Sequence, residues 1–168
     1  MKNLGELLAK SWLDKTLLNL DSLEKKDIPS TRKEAFEAQN IFYQSINKKT
    51  VGWKIGAVAK EVQEEEGYDG PVPGKIFEDT FLQINTNINF NDIPHSNLEC
   101  EYALKFLKDS KIDNDLEKDL NQIKLFTAID ITSTRYEQAS KDKFNKLVQM
   151  YLGIADHGNG GRIIIGNE

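Results

Sequence analysis

Five acidic and basic positions could do chemistry. Glu99, Cys100 and Glu101 are consecutive. On a strand, residues two apart share a face, so the two glutamates lie together with Cys100 opposite. Like charges at that spacing raise each other's pKa unless a cation sits between them. On an ordinary surface strand such a pair is simply solvated. The run Leu125–Ile131 is apolar except for Thr127 and Asp130. Aspartate is depleted in strands and seldom buried without a partner, so Asp130 either caps a turn into Thr132–Thr134 or faces other groups. If it faces Glu99 and Glu101, three carboxylates converge. An oxygen-only set of that kind suits a hard cation, Mg²⁺ or Mn²⁺, and not Zn²⁺. Arg135 follows and could grip a carboxylate bidentately, or form a surface ion pair. Lys54 stands between Trp53 and Ile55, flanked by Gly52 and Gly56. Desolvated, it could polarise a substrate oxygen or exchange protons near neutral pH; on an edge strand it would only snorkel.

These residues need elements to hold them. Leu4, Leu7, Leu8, Trp12, Leu17, Leu18 and Leu20 recur near a helical period, up to a polar break at Glu24–Asp27 and Pro29. Thr31 and Glu34 read as a capping box, opening a second helix with Ala35, Phe36, Ala38, Gln39, Phe42 and Tyr43 on its packed face. From Thr50 the pattern alternates as a strand through Val51, Trp53 and Ile55. A short helix Lys60–Glu66 follows, stopped by Gly67, and Tyr68–Lys75 reads as a turn pair. Strand-like runs are Ile76–Ile88, Leu98–Lys108, Leu125–Thr134 and Arg162–Ile165. Asp113–Lys124 and Lys141–Leu152 read as helices, and Gly158, Gly160 and Gly161 as a turn. Residues 1–48 form an N-terminal helical segment and 49–168 the strand-rich part of one structural unit. The class is α+β.

Composition narrows the partners. The chain has 168 residues, enough for one ordinary domain. With 22 Lys+Arg against 27 Asp+Glu, the net charge of −5 argues against a nucleic-acid binder. Cys100 is alone, which excludes a disulfide framework, and reads as a buried strand cysteine. No stretch approaches the roughly 20 apolar residues of a membrane span, and the amphipathic N-terminus lacks a signal peptide's apolar run. A cytoplasmic protein is expected. His95 reads as an exposed turn residue, Asp156 as a turn or helix-capping residue, and His157 as part of a Gly-rich turn.

In this order the motifs resemble a known family. Val51-Gly52-Trp53-Lys54-Ile55-Gly56, Val62-Gln63 and Gly67 are similar to its opening segment, and Pro73–Asp79 to its next loop. Leu98–Ala103 resembles its paired-glutamate metal motif, and Ala128-Ile129-Asp130 with Arg135 its acidic strand. Leu152-Gly153, Ala155-Asp156, Asn159 and Ile165-Gly166 resemble its closing stretch. The family is the 2-keto-4-pentenoate hydratase / 2-oxohepta-3-ene-1,7-dioate hydratase family of the fumarylacetoacetate hydrolase superfamily.

The resemblance implies N-terminal helices followed by a mixed β-roll. It implies Mg²⁺ or Mn²⁺ on Glu99, Glu101 and Asp130, where the family usually has Glu at the last position. Lys54 and Asp79 would be catalytic, and Arg135 would bind a substrate carboxylate or support the loop. The reaction would be hydration of a small 2-hydroxydienoate or 2-oxo-enoate. Decarboxylation, C–C hydrolysis on the same scaffold, and a non-catalytic chain that binds a partner are the alternatives. The family's domain runs past this chain's last strand, so the resemblance implies only its first part. Unpaired strand edges would then invite a second copy or a related chain.

Overall fold

In a computed structural model, residues 1–107, 120–157 and 161–166 are described. The chain runs α1 (Lys2–Asp14), α2 (Arg32–Ile46), β1 (Thr50–Gly56), α3 (Lys60–Glu66), β2 (Val72–Phe77), β3 (Phe81–Gln83), β4 (Asn97–Phe106), β5 (Ile123–Thr132), α4 (Gln138–Lys141), α5 (Lys146–Ala155) and β6 (Arg162–Ile165). β1 and β2 form an antiparallel pair. The other strands form a four-stranded sheet in the order β3-β6-β5-β4. It is mixed: β3 runs parallel to β6, while β6–β5 and β5–β4 are antiparallel. Among the described residues no helix is long and apolar enough to cross a membrane.

The helices start and stop for local reasons. Lys15 takes a left-handed conformation and its N–H closes on the Ser11 carbonyl, so α1 ends well before Leu20. The apolar periodicity nevertheless marked the right residues, since Leu18 and Leu20 are buried beyond the helix. Thr31 caps α2 by accepting from the Glu34 N–H, but Glu34 reaches back one residue further, to the N–H and hydroxyl of Ser30. The helix expected at Lys141–Leu152 starts later, because the Asn145 side chain caps the N–H of Val148 and opens α5 there.

Three strand boundaries also move. The expected run Ile76–Ile88 is broken at Glu78–Thr80, a single 3-10 turn in which the Thr80 hydroxyl bonds both the N–H and the carbonyl of Phe77. There the chain leaves the β1–β2 pair and joins the second sheet. β2 begins inside the expected turn, at Val72, and tolerates Pro73 because it has only β1 as a neighbour. The expected helix Asp113–Lys124 lies mostly outside the described residues, and its Ile123 and Lys124 belong to β5. Gly158 and Gly160 are outside them as well.

The core is helical and aromatic. Leu4 and Leu8 of α1 meet Ala38 and Phe42 of α2, with Phe77, Tyr136 and Leu152 closing the cluster. Trp12, Phe42, Tyr43 and Phe77 pack edge-on or tilted, with centroids 5.7–6.5 Å apart. Buried Gln39 donates to the carbonyls of Pro73 and Ile154, tying α2 to β2 and α5. One sheet face is less well covered. Leu98, Tyr102, Leu104 and Phe106 share a face of β4, and Tyr102 is 77% exposed. Cys100 lies on that face of an outer strand and is exposed, so the expectation of a buried cysteine is corrected.

The α1–α2 contact sets a stability prediction. A β-carbon at Gly5 would stand 2.6 Å from the Ala38 carbonyl oxygen and 2.7 Å from Ile41 Cβ. Gly5→Ala should destabilise the fold by about 1–3 kcal/mol by forcing the helices apart. Leu13→Ala, at an exposed site on the same helix, should shift stability by no more than about 0.5 kcal/mol. Urea unfolding followed by circular dichroism measures both.

Candidate metal and proton-transfer site

The site is built where β1 meets β5. On β1, Val51, Trp53 and Ile55 are exposed, so Lys54 turns the other way and is only 12% exposed. Its partner in the ladder is Gly74. A side chain at Gly74 would stand 2.9 Å from the His157 carbonyl oxygen and 3.4 Å from Lys54 Cγ, so glycine leaves the room that Lys54 uses. Lys54 Nζ donates to Asp130 Oδ2 at 2.5 Å.

Asp130 is buried and its second oxygen, Oδ1, has no hydrogen-bond partner. Burial pushes its pKa up, and the Lys54 charge and hydrogen bond oppose that. Glu99 is the residue directly across from Asp130 in the β4–β5 ladder, and Glu101 is across from Ala128. Both therefore share the face of Asp130. The Glu99 pKa is also raised, first by partial burial and then by Asp130, with Glu101 adding to it and Lys54 opposing. Three carboxylates thus answer to one ammonium, an excess of negative charge that a divalent cation would match. The oxygen-only donors and the orphaned Oδ1 fit a hard cation. Glu99 and Glu101 are exposed, and among the described residues no three acidic, His or Cys side chains are already gathered around one point.

Asp79 and Arg135 stand elsewhere. Asp79 sits in the 3-10 turn after β2 and is ion-paired with Lys48. Arg135 is buried against Asp156: its Nε donates to Oδ1 at 2.5 Å and its Nη2 to the backbone carbonyl at 2.7 Å. Asp156 Oδ2 also accepts from the Arg135 N–H and the Thr134 hydroxyl. Asp156, expected as a turn or helix-capping residue, is the C-cap of α5 and also the clamp that fixes the chain after β5.

His157 is the residue that sequence reasoning underrated. It is buried and stacked on Phe77 with centroids 5.2 Å apart, and its Nδ1 lies 2.7 Å from the Tyr43 hydroxyl. The Lys75 N–H donates to both groups. Burial, followed by the charges of Arg135 and Lys54, holds the imidazole well below its ordinary pKa and hence neutral. The available signal was its place straight after the apolar helix that ends in Ile154 and Ala155. His95 is exposed, as expected.

No protein-family profile and no curated protein matches the sequence. Solved structures do match. The fold is similar to that of 4-oxalocrotonate decarboxylase. Two structures of that enzyme from Pseudomonas putida G7 align over 99% of this chain. The one complexed with magnesium and adipate gives a TM-score of 0.77 at 18% identity. The one complexed with calcium and acetate gives 0.76 at 17%. This chain spans only 62% and 61% of those chains. At such identity the likeness establishes fold. The expected class, α+β with N-terminal helices ahead of a mixed sheet, is the class observed.

The Lys54–Asp130 pair yields a pH prediction. Lys54→Met leaves a buried carboxylate unpaired and should cost about 3–5 kcal/mol near neutral pH. Asp130 already has a raised pKa in the folded state, and losing Lys54 raises it further. A raised carboxyl pKa favours folding at low pH, and that contribution is lost as pH rises through the folded-state value. The variant's deficit should therefore shrink on acidification, which denaturant titrations across a pH series will read.

Proposed function

We propose that this chain carries the metal-binding half-site of a lyase related to the 2-keto-4-pentenoate hydratases. The single supporting observation is the buried Lys54–Asp130 pair, with Asp130 Oδ1 unpartnered and Glu99 directly across the ladder. In this reading Glu99, Glu101 and Asp130 hold Mg²⁺ or Mn²⁺. When bound, such a cation supplies Lewis-acid stabilisation to a developing enolate.

The chain's own residues do the rest. Lys54 keeps a proton at Nζ, anchored by Asp130, beside the place where a 2-hydroxydienoate would bind. It passes that proton to the distal carbon while the substrate's enol hydroxyl loses one, which gives the 2-oxo-enoate. Water then adds across the remaining carbon–carbon double bond, so the net change is one added water. Lys54 is replenished by the proton released from the hydroxyl. Neutral His157 and Tyr43 buttress β2 opposite Lys54 and keep that wall dry. Asp79, with its carboxylate on Lys48 and across the sheet from Lys54, would act only through the loop that follows β2, and Arg135, held by Asp156, fixes the turn after β5. A cytoplasmic enzyme acting as a homo-oligomer, or with a related chain, fits this reading.

Decarboxylation of a 2-oxo dicarboxylate is the second reading, favoured by the fold neighbour being a decarboxylase. It uses the same cation and lysine and differs in releasing CO₂.

Ultraviolet loss of a 2-hydroxydienoate, with and without Mg²⁺ or Mn²⁺, tests the proposal, and CO₂ release separates the two readings. Metal-dependent turnover is expected. Glu99→Gln, Glu101→Gln and Asp130→Asn should each weaken Mn²⁺ binding, read by water-proton relaxation, by roughly 10–100-fold. Undiminished Mn²⁺ binding in the Glu99→Gln, Glu101→Gln double variant refutes the ligand assignment.

A further inference from the structure

A second polar cavity, of about 150 Å³, lies between the end of α1 and the strand termini. Its charged lining is Lys15, Lys48, Asp79, Asp92, Arg135 and Arg162. It sits across the sheet from the site above. Arg162 pairs with Ile131 in the β5–β6 ladder, whereas Asp130 pairs with Ile163. Neighbouring residues on a strand point to opposite faces, so Arg162 and Asp130 look away from each other.

The charges in this cavity are almost all committed. Lys48 binds Asp79, Lys15 binds Asp92 at 2.6 Å, and Arg135 binds Asp156. Arg162 is the exception among these cations. Among the described residues its side chain makes one hydrogen bond, from Nη1 to the Gly161 carbonyl at 3.1 Å, and no ion pair. Asp79 and Asp92 are near enough to support its charge, but each is held by a lysine. The guanidinium is half-buried, and burial lowers its pKa. A desolvated guanidinium with most of its donors unused is a poor resting state for a protein and a good receptor for a planar anion.

We propose that this cavity binds a small carboxylate, whose two oxygens dock on the guanidinium of Arg162. The volume holds roughly five waters' worth of space, at about 30 Å³ each, which suits a carboxylate with a short carbon chain. One uncommitted positive charge matches a monoanion better than phosphate, and the planar fork matches two carboxylate oxygens. The site stands independently of the metal-dependent reading, because it uses none of Lys54, Glu99, Glu101 or Asp130.

The test is a titration of the full chain, ¹⁵N-labelled, with sodium acetate, and in separate arms with sodium phosphate and sodium chloride, all at fixed ionic strength. The arginine Nε–Hε resonances are followed, and Arg162→Gln assigns the one that matters. Acetate should move the Arg162 resonance saturably, and chloride should not. Arg162→Lys, which keeps the charge and removes the fork, should weaken acetate binding about tenfold. The Glu99→Gln, Glu101→Gln double variant should bind acetate as the unmodified chain does. A linear, unsaturable response overturns the site, as does acetate binding of undiminished strength in Arg162→Lys. Tighter binding of phosphate than acetate overturns the carboxylate assignment.

Discussion

One contact ties the first sheet to the second: the ion pair between Lys54 of β1 and Asp130 of β5. Both side chains are largely out of water, so neither tolerates losing the other. Everything around them serves that constraint. Gly74 leaves space for the lysine, the β4–β5 register sets Glu99 opposite the aspartate, and the aromatic cluster carries β2 at the right height. Asp130 is nevertheless incompletely satisfied, since one oxygen has no partner. A buried carboxylate kept half-used is costly for a purely structural element. In the proposed reading that free oxygen is the one a cation would take.

The fold was largely legible in the sequence, and the reasons are specific. Alternation exposed β1, β4 and β5, and the placing of Glu99 and Glu101 on one face followed from the period alone. That Asp130 faces them depended on the register between strands distant in sequence, which alternation cannot supply. Arg135 and Asp79 could not be located from spacing. Arg135 is captured by Asp156, a partner 21 residues away, and Asp79 is turned aside by the 3-10 turn that ends β2. Cys100 misled because its strand is apolar on that face, while burial depends on whether anything covers it. Helix boundaries failed where a single side chain decided them, as Asn145 does at α5.

The candidate site residues fall into two groups on either side of one sheet. Lys54, Glu99, Glu101 and Asp130 share one environment, and Asp79 and Arg135 share another with Arg162. The first group has surplus negative charge and the second a surplus cation. A thin sheet of apolar strands separates these opposite needs, which keeps each from neutralising the other.

The outer position of β4 has a dynamic corollary. Its ten residues pair with β5 on one side only. In an antiparallel ladder, successive backbone groups on such a strand alternate between the neighbour and the outside. Its amide hydrogens should therefore exchange with solvent in a two-residue rhythm, slow where they are bonded to β5 and fast between. Glu99 and Glu101 lie on the same beat of that rhythm, so their backbone groups either both exchange quickly or are both anchored. The precision with which the two carboxylates are presented is in this way inherited from the side of β4 on which their amides fall.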